Sequence, residues 1–383
     1  MENIARAIHG GETTDIGDEE FGDGAHVDRF AGTSHWVNVR RCITLSLLFS
    51  SLGCTSQNEL LRDYAVGLEA QRAARYSDAE SAYARVLSAQ PNFQGVHNNL
   101  AVLAVDSGDK ARALKEIERE LGAHPKGEAA RTNHVILLLQ GSGRDAARSA
   151  AEALVATGPK TPLSLLLLGL AHAEGGDTAR SLAAFEEVIT SGGDDLVAVA
   201  LNARAHLRYR AGDYALARAD FAEVGQRRRD AVAAHAEAIC ALKLGDAVGG
   251  KAAWERASTL DAAAEPVHLL GLWVALHDRD LPSVESRSAA LMKSPTAARP
   301  ARRLRAVARI ELGDPSGATS DLEALMEERP EADIAFNLGL SYVALGRLSE
   351  AEAAFTEASE LPDAPASALK NRDAIATLMG APR

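Results

Sequence analysis

Aromatic residues are scarce, at 4% of a 383-residue chain that is 46% hydrophobic. That scarcity excludes a core built on large rings. The interior must be made of Ala, Leu and Val, as in closely packed helix pairs, so composition alone argues for an all-α protein. Cysteine is rarer still: Cys42, Cys54 and Cys240 are the whole complement and provide no disulfide framework. Positive charge is also in deficit. The net charge is −12, of which the first 53 residues contribute −4 and the remainder −8. An acidic balance disfavours nucleic acid as a partner, and no basic stripe with interleaved aromatics offsets it. Signals of chemistry are missing too. There is no His-Glu-x-x-His string, no histidine pair at metal-ligand spacing with a carboxylate partner, no nucleophile turn and no cofactor loop. The expectation is a chain without catalytic residues, metal or cofactor.

What the sequence does have is a 34-residue beat. Ala79, Ala113 and Ala147 fall one period apart, and Pro91, Pro125, Pro159 and Gly193 fall on the same period. Each unit reads as two amphipathic helices of about a dozen residues, a length at which an isolated helix is marginal in water, so stability must come from stacking units on their neighbours. Three columns of residues carry the pattern. Small residues recur in the first helix, at Gly67, Ala101, Gly169, Ala205, Ala238, Gly271, Ala306 and Gly339, where they let paired helices approach closely. Large ones recur in the second helix, at Tyr83, Ile117, Phe185, Phe221, Trp254, Leu322 and Phe355, filling the space that remains. Val135 departs from the first column, and Ala151 and Arg287 from the second. Between the helices, Gly108, Gly176, Gly212, Gly245, Gly313 and Gly346 supply a residue that ends a helix in the left-handed conformation at little steric cost.

This arrangement of a small residue, an early Ala, a large apolar residue four places on and a closing Pro resembles the tetratricopeptide repeat family. The resemblance implies a right-handed superhelix, an α-solenoid of nine helix-turn-helix repeats over residues 60–363. The units start near Leu60, Gln94, Glu128, Pro162, Ala198, Ala231, Ala264, Arg299 and Ala332. The third and seventh are degenerate and the ninth matches best. After Pro362 and Pro365, the segment Ser367 to Met379 within 364–383, with Leu369, Ile375 and Leu378 as its apolar residues, reads as a capping helix or, alternatively, as a disordered tail.

Residues 1–36 are Gly-rich and acidic without sustained periodicity, and read as disordered or as a misplaced start of translation. Arg40-Arg41 then precedes the apolar run Cys42 to Ser50, too short to span a bilayer as a helix, followed by Ser51-Leu52-Gly53-Cys54. This succession resembles the signal of bacterial lipoproteins, with residues 37–53 as leader and 54–59 as a short linker. The resemblance implies that Cys54 is diacylated and becomes the new N-terminus. Ser51 stands where that family usually has Leu three places before the Cys. Val37 or Val39 would serve as the initiator, and the Arg pair is only faintly similar to a twin-arginine signal. Thr55 in place of Asp after the Cys implies, by resemblance to lipoprotein sorting, an outer-membrane protein facing the periplasm. The alternative is a chance apolar helix in a cytoplasmic scaffold.

Gly245-Asp246-Ala247-Val248-Gly249-Gly250-Lys251-Ala252 approaches a phosphate-binding loop but fails it, because Ala252 replaces the Ser or Thr that would hold the metal and a helix precedes the loop. Gln226 to Arg229 reads as a solvated turn between repeats, and Cys240 as a buried apolar thiol. His206, His235 and His268 occupy comparable places in successive first helices, as polar lining or as a titratable patch.

Function must then lie in the surface. In the tetratricopeptide family the first helices line a concave groove that holds a segment of a partner. By alignment that wall comprises Tyr64, Leu68, Val102, Ile136, Leu139, Leu170, His206, Tyr209, Ile239, Leu242, Leu272, Val307, Ile310, Phe336, Leu340 and Val343, each of which also suits packing between helices. Asn99, Asn133 and Asn337 recur where some family members carry an asparagine ladder that bonds a partner's backbone. The expected activity is a non-enzymatic protein-binding scaffold: a lipoprotein serving pilus, secretion or envelope assembly and held at a membrane by acylated Cys54, or alternatively a cytoplasmic scaffold or an accessory subunit of an enzyme complex.

Overall fold

A computed structural model describes residues 55–141 and 143–380. The expected extension 1–36, the leader 37–53 and Cys54 lie outside the described residues. Those described form nineteen helices and no strand, and divide into two units, 55–207 and 208–380. The first unit holds four helix pairs: α1 (Thr55–Arg72) with α2 (Tyr76–Ala89), α3 (Val96–Asp106) with α4 (Lys110–Ala123), α5 (Glu128–Leu139) with α6 (Arg144–Thr157), and α7 (Pro162–Glu174) with α8 (Thr178–Ser191). Helix α9 (Asp194–Arg210) contains the division. The second unit continues with α10 (Tyr214–Arg228), α11 (Ala231–Lys243) with α12 (Ala247–Leu260), and α13 (Glu265–His277) with α14 (Leu281–Leu291). It is completed by α15 (Ala298–Leu312) with α16 (Pro315–Glu328), α17 (Ala332–Ala344) with α18 (Leu348–Glu360), and α19 (Ala366–Gly380). Of the segment 54–59 assigned to a linker, the described residues from Thr55 on are the first residues of α1. Gln57 and Glu59 are good helix formers, and nothing in the segment stops a helix.

In several pairs the turn is written in two residues. At Gly108 the backbone is left-handed (φ 82°), its N–H donates to Val105 O at 3.0 Å, and the Asp109 N–H donates to Ala104 O at 2.8 Å. These are the two bonds of a Schellman stop. Asp109 then caps the next helix by accepting from the Arg112 N–H at 2.9 Å. Asp177, Asp246, Asp280 and Asp314 repeat the cap on Arg180, Gly249, Ser283 and Gly317. The same stop forms where glycine is missing: Ala74 and Arg279 are left-handed at φ 55° and 58°. Both carry a Cβ in a conformation that disfavours one by about 1–2 kcal/mol, so the surrounding helices impose the turn on the residue.

The small and large columns meet as the spacing predicts. A Cβ added at Gly67 would lie 2.5 Å from Tyr83 Cε1, at Gly169 2.6 Å from Phe185 Cε1, and at Gly339 2.6 Å from Phe355 Cε1. Tyr83, Phe185 and Phe355 are fully buried, and each such ring contributes about 1.5–3 kcal/mol of burial. The two departures in the third pair compensate each other. Val135 replaces the small residue, Ala151 replaces the large one sixteen places on, and both are fully buried in one cluster. The volume of the contact is conserved with its halves exchanged.

The seventh pair solves its exception differently. Arg287 stands where its own second helix should place a ring, and Gly271 is covered by Arg287 and by Trp254 of the preceding pair together, Nη1 of the first lying 3.0 Å and Cζ2 of the second 2.9 Å from a Cβ built there. At the C-terminus α19 packs through Ala368, Asn371 and Ile375. Leu369 and Leu378, expected on the packed side, are 49% and 41% exposed. Leu369 falls away from Ile375 around the helix, and Leu378 lies beyond the last residue that α19 buries.

Candidate functional site

The first helices of successive pairs carry the expected wall. Of the residues assigned to it, Tyr64, Leu68, Ile136, Leu139, His206, Tyr209, Ile239, Leu242, Leu272 and Phe336 are buried, all at 7% exposure or less. They are spent on packing between helices and offer no side chain to a partner in the chain as it stands. Val102, Leu170, Val307, Ile310, Leu340 and Val343 are half-buried. The wall therefore shows itself in patches.

In the unit 55–207 the patches are Val102 with Val105 on α3, and Leu170 with Ala173 on α7. In the unit 208–380 there is one stretch on two consecutive first helices, Val307 and Ile310 on α15 and Leu340 and Val343 on α17. Ile310, Leu340 and Val343 rest on the cluster built around Leu322, Phe336 and Phe355, so they are held in place from below. Val105 and Ala173 are not among the residues that the alignment of repeats picks out. They lie three places after Val102 and Leu170, one helical turn along the same face, and that spacing is the signal that points to them.

The asparagines are not a ladder open to a partner. Asn99 donates to the Tyr64 hydroxyl at 3.2 Å, Asn98 donates to Asn99 Oδ1 at 3.4 Å, and Asn133 donates to Asn98 Oδ1 at 2.8 Å. All three asparagines are buried, as is Asn337. The chain of amides ties α1, α3 and α5 together. Glu120, 2% exposed, reaches back from α4 to accept from the Gly95 N–H at 2.8 Å and so caps α3. Burial pushes the Tyr64 phenol above its ordinary range, partly offset by the Asn99 bond.

The unit 208–380 uses ions where the first uses amides. Arg303 of α15, itself buried, pairs with Glu331 and with Asp333 of α17. Arg299 donates to Glu331 at 2.9 Å, Arg305 to Asp321 at 2.6 Å, and Arg309 to Glu285 of α14 at 2.6 Å. The arginine-rich α15 is thus neutralised from within. Burial raises the Asp333 carboxyl above its ordinary range and outweighs the Arg303 charge beside it. Glu331 moves the other way: burial would raise it, but its bonds to Arg329 and Arg299 prevail and hold it low.

The remaining sequence candidates have structural places. Asp246 caps α12 through the Gly249 N–H and receives Arg218 at 2.7 Å, and Lys251 donates to Asp278 at 2.6 Å, so the near-miss phosphate loop is a helix start with its lysine engaged. His206 and His235 are buried and His268 is exposed. Burial pushes the Cys240 thiol up to about 12, which keeps it protonated and unreactive. Arg227 closes on Glu223 at 2.8 Å and Arg229 forms the left-handed end of α10. Among the described residues no group of three or more metal-ligating side chains occurs, and no helix is long and apolar enough to cross a membrane.

A family model described as tetratricopeptide repeat matches residues 64–128, 132–195 and 303–365, half of the chain. Among solved structures, a tetratricopeptide repeat protein from Parabacteroides merdae aligns at 14% identity and a TM-score of 0.45, covering 73% of this chain and 98% of that one. PilW, a type IV pilus biogenesis factor, aligns at 15% identity and a TM-score of 0.49, covering 54% and 96%. PilF of Pseudomonas aeruginosa aligns at 16% and 0.47, covering 55% and 96%. Likenesses at this level carry no weight for function. No curated protein matches the sequence.

Proposed function

Because the chain belongs to the tetratricopeptide repeat family, we propose that it is a non-catalytic scaffold that binds a segment of another protein along its first helices, and that it does so in a bacterial envelope, anchored by acyl chains on Cys54. The observation that carries the binding reading is the stretch Val307, Ile310, Leu340 and Val343, four half-buried aliphatic side chains on consecutive first helices, the last three supported from below. A helical or extended segment with apolar residues at one-turn spacing fits such a face. The patches of Val102 with Val105 and Leu170 with Ala173 are its counterparts in the unit 55–207. The envelope reading rests on the sequence pattern from Arg40 to Cys54. A single acyl chain anchors only reversibly, at about 0.8 kcal/mol per buried CH₂, so multiple acylation of Cys54 is what makes attachment stable. The partner class is a protein of pilus, secretion or envelope assembly.

The binding test is a pull-down from detergent-solubilised envelope with Leu340→Glu and Val102→Glu. Capture should fall at least tenfold while helicity and melting stay close to wild type. Leu68, 7% exposed and in one buried cluster with Tyr64 and Tyr83, suits the control: a charge there should unfold its pair whether or not a partner binds. Should Leu340→Glu unfold the protein as well, the face is packing and the binding reading fails. The anchoring test is separate. Cys54→Ser should release the protein from the membrane fraction, and a mature protein that still contains residues 1–36 would refute processing.

A further inference from the structure

Gln140 caps the C-terminal end of α5. Among the described residues it is the one side chain with two buried polar atoms, Nε2 and Oε1, and no hydrogen-bond partner for either. The residue as a whole is only half-buried, so its amide is tucked inward from an open helix end and has no bond to break on leaving. Its backbone carbonyl is engaged, accepting from Lys110 Nζ at 3.2 Å. A buried amide without partners is costly, because it has given up water for nothing, and a ligand that supplies a donor and an acceptor recovers that cost. The surroundings define what such a ligand meets. Gln140 lies one turn beyond Ile136 on the same helical face, and one place after the column of Val105, Leu139 and Ala173. Leu139 is buried, whereas Val105 on α3 and Ala173 on α7, with Val102 and Leu170 one turn before them, are half-buried. Helix α5 packs against both α3 and α7. The unbonded amide thus sits between two open aliphatic patches.

We propose that Gln140 is the seat for one residue of an extended peptide, its amide donating to that residue's C=O and accepting from its N–H, while side chains on either side rest on the two patches. This rests on the binding reading above and names the form of the bound segment in the unit 55–207. Hydrogen-bond complementarity selects the extended form. In a strand the C=O and N–H of one residue point the same way and match the two ends of a primary amide. In a helix both are spent on the helix itself. First helices packed about 8–10 Å apart set the patches of α3 and α7 roughly 16–20 Å from each other. About five or six extended residues span that distance at about 3.3 Å each.

Two probes test the seat on the full chain in detergent. The first is a fluorescent peptide of serine and threonine with a leucine near each end, about six residues apart. The second is its analogue in which an ester oxygen replaces the N–H midway between the leucines. Wild type should bind the ester about fivefold more weakly than the amide. Gln140→Leu should bind the two equally, and the amide probe about as weakly as wild type binds the ester. Val102→Glu should abolish binding of both. Because Gln140→Leu removes an unbonded buried amide, it should also raise the melting temperature of the free chain by about 2 °C or more. A probe that needs Val102 but ignores both the ester and Gln140→Leu overturns the seat and leaves the binding reading standing. No binding to wild type, or binding untouched by Val102→Glu, overturns both. A lower melting temperature for Gln140→Leu overturns the seat alone, since the amide is then already bonded in the free chain, by water.

Discussion

Residues 55–207 and residues 208–380 use the same repeat but connect its first helices in opposite ways. In the first unit the links are neutral: the Tyr64 hydroxyl and Asn99, Asn98 and Asn133 run from α1 through α3 to α5. In the second the links are ionic, with Arg303 on Glu331 and Asp333 between α15 and α17. The frame of small residue, ring and left-handed turn is common to both. The difference teaches that the repeat constrains volumes and backbone but leaves the polar links between repeats open. Neutral amides make such links directional and indifferent to salt and pH, whereas ion pairs make them dependent on both.

The largest expected effect breaks the ionic link. Arg303→Met leaves the well-buried Asp333 carboxylate without its cation, while Glu331 keeps Arg299 and Arg329, and should cost about 3 kcal/mol or more in a urea titration. A cost under ~1 kcal/mol would mean that the pair is solvated and that the contrast between the units is superficial. Asn98→Ala removes the middle of the amide chain, orphans Asn133 Nδ2 and should cost about 2 kcal/mol. Its cost should not change between low and high salt, while that of Arg303→Met should. A shared salt dependence would erase the distinction.

The common frame predicts equality instead. Gly169→Ala and Gly339→Ala each drive a methyl to 2.6 Å from a buried ring, so each should cost about 1–3 kcal/mol and the two should agree within ~0.5 kcal/mol. Unequal costs would show that the ring is free to shift in one unit.

The smallest effect is acid sensitivity. Asp246 and Asp280 are held below their ordinary value of 3.8, the first chiefly by the Gly249 N–H with Arg218 and the second by both groups of Ser283. Glu331 is likewise held low by Arg329 and Arg299. A carboxylate depressed in the folded state contributes stability that is present above its unfolded pKa and lost as pH falls through the folded one. Protection from hydrogen exchange should therefore fade in 208–380 before 55–207 as pH drops below about 4. Asp333, raised by burial, has the opposite sign and softens the transition. Simultaneous loss in both units would count against the ionic account.

Much of the fold is legible in the sequence because a repeat states its rules several times. The glycine turns at Gly108, Gly176, Gly245, Gly313 and Gly346 and the ring contacts of Gly67, Gly169 and Gly339 follow from spacing alone. The Asp that follows four of these glycines, in Asp109, Asp177, Asp246 and Asp314, is equally visible and is a helix cap. The binding wall is harder to read. Columns identify the face of a helix, but the depth to which a neighbouring repeat covers it is not periodic, so Ile136, Ile239 and Leu272 vanish into the core while Val307 and Leu340 do not.

By itself, then, the sequence determined the class, the repeat, the turns and the pairing of small with large residues, because these are local in the chain and recur. Tertiary structure alone decided the rest. It set Val135 against Ala151 as an exchanged pair, laid Trp254 over Gly271 from the neighbouring repeat, and forced Ala74 and Arg279 into glycine's conformation. It also turned the asparagines inward to one another and away from a partner. Each of these depends on contacts between residues whose separation no local pattern encodes, and on the requirement that buried volume be filled and buried polar atoms be bonded.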